Sequence, residues 1–308
     1  MTAGMTPALL AKLVAVAAIW GGTFIAGRVA SLAMAAPAAA LWRYLVASVA
    51  LLAFVAWRER GLPRLTRDQW LGVTLLGATG VAAYNLFFMF GLERVPASRG
   101  SLIMALNPAM IMLGGALFLG ERLTPARVAG VTLALVGVSI VLGHGNPLEL
   151  FAGHVGIGEL ALFGCVLSWC TYTLVGKRVL AGLSPLVATT YAALTGTVLL
   201  AFACTISGDL AWPPAQVEVW ASLAFLGVLG TAVAFVWFYD GVMAIGPART
   251  GVFINLVPVF AIALGVMLLG ERVEASMLVG GAIVVAGIWM LNRPLPAAGL
   301  AGTAAAAR

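Results

Sequence analysis

Charge is the scarcest feature of this chain. Asp, Glu, Lys and Arg make up 9% of its 308 residues, against about 25% in a soluble domain. Apolar side chains reach 62% and mean hydropathy is +1.07, which excludes a water-soluble globular fold. Cysteine is nearly absent as well. Cys165, Cys170 and Cys204 are an odd number inside apolar runs and have no metal-ligand spacing, so neither a disulfide framework nor a metal site is expected. No Asp, Glu or His lies near the middle of a long apolar run, although proton-driven carriers usually need a titratable group there. Phosphate-binding Gly-x-x-x-x-Gly-Lys-Ser/Thr, His-Glu-x-x-His and Gly-x-Ser-x-Gly motifs are all missing, so the chain does not read as an enzyme and no cofactor is expected.

What remains is a sequence built for lipid, rich in Gly (37) and Trp (9). A helix crossing a hydrocarbon core of about 30 Å needs roughly 20 mostly apolar residues. Ten segments qualify, near 9–27, 36–57, 70–91, 98–119, 125–143, 158–176, 184–207, 218–240, 248–269 and 275–292. The fold class expected is therefore an all-α integral membrane protein with ten transmembrane helices. Their continuous apolarity excludes a β-barrel, whose strands alternate. With the amino terminus inside, Lys12, Arg58, Arg60, Arg64, Arg67, Arg122, Arg127, Lys177, Arg178, Arg249, Arg293 and Arg308 are cytoplasmic, and Arg28, Arg43, Arg94, Arg99 and Arg272 lie on the outer side. That division of 12 against 5 accounts for all 17 Lys and Arg and places both termini in the cytoplasm. The net charge of +6 is thus orientation signal, and no nucleic-acid partner is expected. Residues 1–35 resemble a secretory signal, but Arg28 interrupts the approach to the Ala33–Ala35 cleavage pattern and the segment has a counterpart later in the chain. His144 and His154 read as ordinary loop residues.

Self-similarity organises the rest. Gly120-Glu121-Arg122 recurs as Gly270-Glu271-Arg272 at a shift of 150, which also superposes Leu76-Gly77 on Leu226-Gly227, Gly91 on Gly241, Pro108 on Pro258 and Gly137 on Gly287. Two five-helix repeats are expected, at 9–143 and 158–292, followed by a short cytoplasmic tail at 293–308. An odd number of crossings inverts the second repeat, an arrangement that secondary transporters build around a midplane site and a central cavity.

Candidate site residues follow from that symmetry. Pro108 and Pro258 sit deep in the fourth and ninth segments beside Asn107 and Asn255. Each proline frees a carbonyl that needs a polar environment, so the pair marks either a substrate site or two tolerated packing kinks. On the third segment Gly77, Tyr84, Phe88 and Gly91 share a helical face, repeated by Gly227, Ala234, Phe238 and Gly241 on the eighth, with Asn85 and Trp237 flanking. That stripe is cavity wall or helix packing. Arg43 lies several residues inside the second segment, where it either receives a substrate carboxylate or snorkels to the interface. Glu121 and Glu271, each after a helix-ending Gly, read as structural partners for the dipole of the helix that follows.

Trp20-Gly21-Gly22-Thr23-Phe24, Trp42-Arg43-Tyr44, Asn107-Pro108 and Gly120-Glu121-Arg122 with Gly130 and Gly137, answered by Trp169, Pro258, Gly270-Glu271 and Gly280, resemble paired EamA-type repeats of the drug/metabolite transporter superfamily. Within it the chain is most similar to the YddG-type exporters of aromatic and other amino acids. The resemblance implies a secondary transporter working by alternating access on a small-molecule substrate. It also implies a cavity lined by the first, third and fourth helices and their partners, the sixth, eighth and ninth. Trp20, Tyr84, Phe88, Met104, Trp169, Tyr172, Trp237 and Phe238 would form its apolar wall. Asn85, Asn107, Asn255, the carbonyls freed near Pro108 and Pro258, and Arg43 would hold a zwitterion. The alternatives are export of another metabolite or drug class, and a non-transporting membrane scaffold whose helices meet through faces such as Gly130, Ala134 and Gly137. Homo-oligomerisation is left open.

Overall fold

A computed structural model describes residues 5–59, 61–121, 123–150, 155–179 and 183–291. Arg60, Arg122, His154 and the tail at 293–308, and the side chains of Lys177 and Arg178, lie outside the described residues. The described elements are helical, with no strand among the described residues. They are α1 (Pro7–Ala33), α2 (Ala36–Glu59), α3 (Arg67–Arg94), α4 (Ala97–Leu119), α5 (Pro125–Leu142), α6 (Ile157–Val179), α7 (Pro185–Ser207), α8 (Val217–Ile245), α9, and α10 (Ala275–Leu291). Helix α9 starts as Pro247–Gly251, tightens to a 3-10 stretch at Val252–Leu256 and resumes as Val257–Leu269. Nine helices among the described residues are long and apolar enough to cross a membrane, and α10, at 17 residues, is a shorter apolar helix.

Local chemistry sets these boundaries. Thr6-Pro7, Thr124-Pro125 and Ser184-Pro185 each supply a hydroxyl that accepts an amide of the first turn, followed by a proline whose missing N–H costs nothing there. Thr66 and Gln69 close a reciprocal capping box on α3. Helices α4 and α9 stop at Gly120 (φ +67°) and Gly270 (φ +64°), a left-handed conformation that favours glycine.

Two pairs of irregularities recur across the halves. Helix α4 is interrupted at Ala105-Leu106 before restarting at Asn107-Pro108, and the 3-10 stretch of α9 occupies the corresponding place before Pro258. Helices α3 and α8 widen into π-helix at Gly77–Ala83 and Phe225–Val233. The widening splits the glycine and aromatic stripe expected on α3. A methyl at Gly77 would strike Thr195 and the Gly196 backbone of α7, whereas one at Gly91 would strike Leu162 of α6.

Helix α1 runs between the halves. At Gly21 it approaches α9 so closely that a methyl there would lie 2.6 Å from Phe260 Cβ. Helix α6 packs on α3 through Gly91 and Gly158, and α8 packs on α2 through Gly227 against Val46. Outside this group α5 and α10 form a tight pair: a methyl at Gly137 would sit 2.6 Å from the Gly280 carbonyl oxygen, and one at Gly130 would sit 2.8 Å from that of Gly287. The small-residue face of Gly130, Ala134 and Gly137 is therefore taken up within the chain.

Candidate functional site

The centre of the molecule is a connected set of aromatic rings. Phe24 meets Phe88 at 5.4 Å between centroids, Phe88 stacks on Tyr84 at 5.8 Å, and Tyr84 touches Trp169 at 5.7 Å. Trp169 stacks on Tyr172 at 5.1 Å and meets Phe235 at 6.4 Å, and Phe235 leads to Trp20 at 5.7 Å. Trp20 in turn contacts Phe238 at 5.3 Å. Six of the expected wall residues, Trp20, Tyr84, Phe88, Trp169, Tyr172 and Phe238, are thus brought together from α1, α3, α6 and α8. Met104 is buried in the surrounding core. Trp237 faces elsewhere, with the Lys12 ammonium 6.0 Å from its ring.

The π-helical segments place backbone at this cluster. The Trp20 indole N–H donates to the Gly230 carbonyl at 3.1 Å, and the Thr231 hydroxyl donates to Leu226 O at 2.9 Å. Such bulges gather at functional sites because they leave carbonyls outside the regular ladder. A cavity of about 20 Å³ lies here, lined by Tyr44, Gly80, Val81, Trp169, Tyr172, Thr189, Ala192, Ala193, Thr231 and Phe235. It is roughly the size of one water molecule. The hollow expected between the halves is therefore nearly closed in this conformation.

Sequence reasoning missed Tyr44, Thr189, Thr231 and Phe235 as lining residues. A signal existed for the α8 group: Gly77-x-x-Gly80 recurs as Gly227-x-x-Gly230 at the same shift of 150 and coincides with the π segments.

Arg43 is buried, with 6% of its surface exposed. Its guanidinium carbon lies 5.6 Å from the ring centroids of both Tyr44 and Phe88, and its Nε and Nη1 atoms have no hydrogen-bond partner. It does not snorkel. Asn85, fully buried, donates its amide to Val81 O at 2.7 Å and leaves its Oδ1 unpartnered; Asn107 Oδ1 is unpartnered too. Pro258 is buried close to Gly21 of α1, whereas Pro108 and Asn255 are half-buried and line neither this cavity nor the groove described next. A separate lateral groove of about 450 Å³ between α1, α8 and α9 is lined by apolar residues such as Ile25, Phe225 and Leu264.

The two ends of the bundle are held differently. At the Arg28 end, the Glu271 carboxylate accepts the Ala97 N–H at 2.7 Å, the Ser98 N–H at 2.9 Å and the Ser98 hydroxyl. The carboxylate expected to serve the following helix instead caps the start of α4, in the other half of the chain. The reason is that Gly270 turns the chain back, so that the side chain lies over Gly265. Arg28 donates to the Leu92 and Val95 carbonyls at the end of α3, and Arg99 to Leu142 O at 2.7 Å while pairing with Glu159 at 3.5 Å. His144 Nδ1 lies 2.8 Å from Glu274, and that bond, as the largest cause, holds the Glu274 carboxyl below its ordinary value. At the Lys12 end, Asp240 pairs with Lys12 at 3.5 Å and Arg58 at 3.0 Å, all three partly exposed.

Comparison with known proteins matches the sequence to the EamA-like transporter family over residues 7–143 and again over 156–293. The chain belongs to the EamA-like transporter family. Among similar proteins, a probable terminal-alkyne amino-acid exporter of Streptantibioticus cattleyicolor is 32% identical over 284 residues, covering 91% of this chain and 92% of that protein. The aromatic amino acid exporter YddG of Ancylobacter novellus is 29% identical over 222 residues, covering 72% and 75%. A crystal structure with 23% sequence identity superposes with a TM-score of 0.67 over 94% of this chain and 99% of that one, which shows the shared fold. This EamA-family protein is accordingly a multi-pass, all-helical membrane transporter acting on a small-molecule substrate, and not an enzyme.

Proposed function

We propose that this transporter exports amino acids, aromatic and other apolar ones among them, or similar small metabolites across a bacterial inner membrane by alternating access. In this reading ten helices form two inverted repeats, 9–143 and 158–292, both termini face the cytoplasm, and the halves rock about the ring cluster. The observation that carries it is the kind of polar atom left without a partner. Arg43, beside the Phe88 ring, offers two unused donors, and Asn85 on α3 and Asn107 at the interruption of α4 each offer an unused acceptor oxygen. A zwitterion complements that set, its carboxylate answering the guanidinium and its ammonium the amide oxygens, while its side chain packs on Tyr84, Trp169 and Tyr172. Buried polar atoms are costly unless paired, so a ligand supplying both charges gains where an apolar one does not. Two relatives named as amino-acid exporters support the same substrate class.

The near-closure of the central cavity fits an occluded, unloaded conformation, since a ring-bearing substrate needs Trp169, Tyr172 and Phe235 to part. Counterflow of radiolabelled amino acids into proteoliposomes tests the reading. Saturable exchange is expected, with Asn107→Ala and Asn255→Ala each reducing flux without loss of folded protein. Movement of a nucleotide sugar or cationic drug with no amino acid moving would overturn the substrate class, and unchanged flux in both variants would remove those residues from the site.

A further inference from the structure

Arg43 lacks an anionic partner, which a substrate carboxylate supplies only while it is bound. The arginine guanidinium is a permanent cation in proteins. Arg43 is 94% buried by the complement of its 6% exposure, and no ion pair includes it among the described residues. The Tyr44 and Phe88 ring faces, 5.6 Å away, offset part of that charge. Cation–ring attraction is weaker than the desolvation penalty of an uncompensated buried ion. The groups nearby are donors as well. Tyr84 stacks at 5.8 Å on Phe88, the ring that also faces Arg43; the Cys165 thiol points to the Tyr84 carbonyl at 3.3 Å, and no hydrogen bond of the Tyr84 hydroxyl occurs among the described residues. The site is thus rich in unused donors and has no carboxylate. Asn85 Oδ1 is the unpaired acceptor on the adjoining face of α3, and it bonds to none of them. The cavity of about 20 Å³ lies beyond Tyr44, whose ring faces Arg43; it has room for one water-sized particle and is lined by neither Arg43 nor Tyr84.

We propose that the Arg43 guanidinium, with the Tyr84 hydroxyl, binds a small inorganic anion such as chloride when no substrate is present, and that a substrate carboxylate displaces it. The proposal rests on the reading of Arg43 as the receiver of the substrate's carboxylate. It adds that the empty carrier is an anion-loaded carrier, so that loading is an exchange of anions. A compact ion beside the guanidinium displaces the Tyr44 and Phe88 rings far less than an organic carboxylate, which requires the rings to open. The guanidinium then has an anionic partner in both states, without any proton moving from the protein.

The test uses the full chain purified in detergent without substrate, at constant ionic strength, with chloride replaced stepwise by gluconate. Binding of radioactive chloride should saturate at one ion per chain, and the melting temperature should rise with chloride and level off. Bromide should quench emission from the tryptophan population adjoining Tyr84 beyond its effect on free tryptophan. Phenylalanine, if transported, should bind about threefold or more weakly in chloride than in gluconate, by simple competition. Arg43→Gln should lose the chloride-dependent rise, and Tyr84→Phe should weaken chloride binding if the first variant fails to fold. Equal melting in chloride and gluconate together with no retained radioactive chloride overturns the proposal. If amino-acid counterflow persists in that case, the transport reading survives without it; if chloride binds while no amino acid moves, the anion site stands and the substrate class falls.

Discussion

Removing the Glu271 carboxylate tests whether the two halves are joined at the Arg28 end. It accepts bonds from Ala97 N at 2.7 Å, Ser98 N at 2.9 Å and the Ser98 hydroxyl. Hydrogen bonds to a charged group each contribute about 1.5–3 kcal/mol, and the negative charge at a helix start adds about 0.3–1 kcal/mol. Summing them overstates the loss, because Glu271 is half-buried and water replaces part of what Glu271→Ala removes. A discounted loss of about 3 kcal/mol is expected. At about 2–4 °C per kcal/mol, the melting temperature should fall by about 6–12 °C. Glu271→Gln keeps one acceptor oxygen but not the charge, and should cost about half as much. Thermal unfolding in mild detergent, followed by intrinsic fluorescence and by the fraction surviving size exclusion, gives both values. A double-mutant cycle sharpens the result: Ser98→Ala should destabilise the parent and be nearly silent beside Glu271→Ala. The reasoning is refuted if Glu271→Ala melts within about 1 °C of the parent, or if Ser98→Ala costs the same in both backgrounds.

Gly80→Ala places a methyl 2.2 Å from the Tyr172 ring, a contact the π segment cannot relieve without moving that ring. A loss of about 1–3 kcal/mol by overpacking is expected in the same melting assay, and an unchanged midpoint would mean that α3 and α6 do not meet there. For Glu274 the folded-state carboxyl is lowered, chiefly by its bond to His144. Its stabilising contribution is therefore present at neutral pH and lost as pH falls below about 4.5 and through the lowered value. The difference in melting temperature between the parent and Glu274→Gln should shrink as pH falls below about 4.5; a difference that grows below that value would reverse the sign.

The helices were readable because lipid imposes one strong pattern. Segments such as 36–57, 184–207 and 275–292 match α2, α7 and α10 to within a few residues, and for α7 the apolar run is bounded by Ser184-Pro185 at its start and Gly208 at its end. The interruptions at Asn107-Pro108 and before Pro258 were readable because proline cannot donate. The π segments were not. Helical periodicity assumes 3.6 residues per turn throughout, so it put Gly77 and Gly91 on one face, whereas the widened turn between them sends one to α7 and the other to α6. Glu271 was misassigned because its partners lie 173 and 174 residues away, and a local capping rule sees only the next helix. Arg43 was recognised as anomalous, but its burial between Tyr44 and Phe88 depends on how α2 meets α3, which no pattern along a single segment records.

The centre combines two properties that a purely structural core does not combine. Its rings leave space for about one water, yet Arg43 beside Phe88 and Asn85 on α3 carry polar atoms with nothing to bond, as does Asn107 at the interruption of α4. Were tight packing the only requirement, apolar side chains of similar volume would satisfy it without the desolvation penalty of a guanidinium and two amides. Were solvation the requirement, the cavity would be larger. The two facts are reconciled if the polar atoms are satisfied by something that enters when the rings separate. The backbone around them is already prepared for such a change. The interruption in α4 and the 3-10 stretch of α9 depart from α-helical hydrogen bonding next to the prolines, and the π segments of α3 and α8 depart from it beside Tyr172 and Trp20. Local rearrangement at these four places disturbs fewer regular hydrogen bonds than bending an intact helix would.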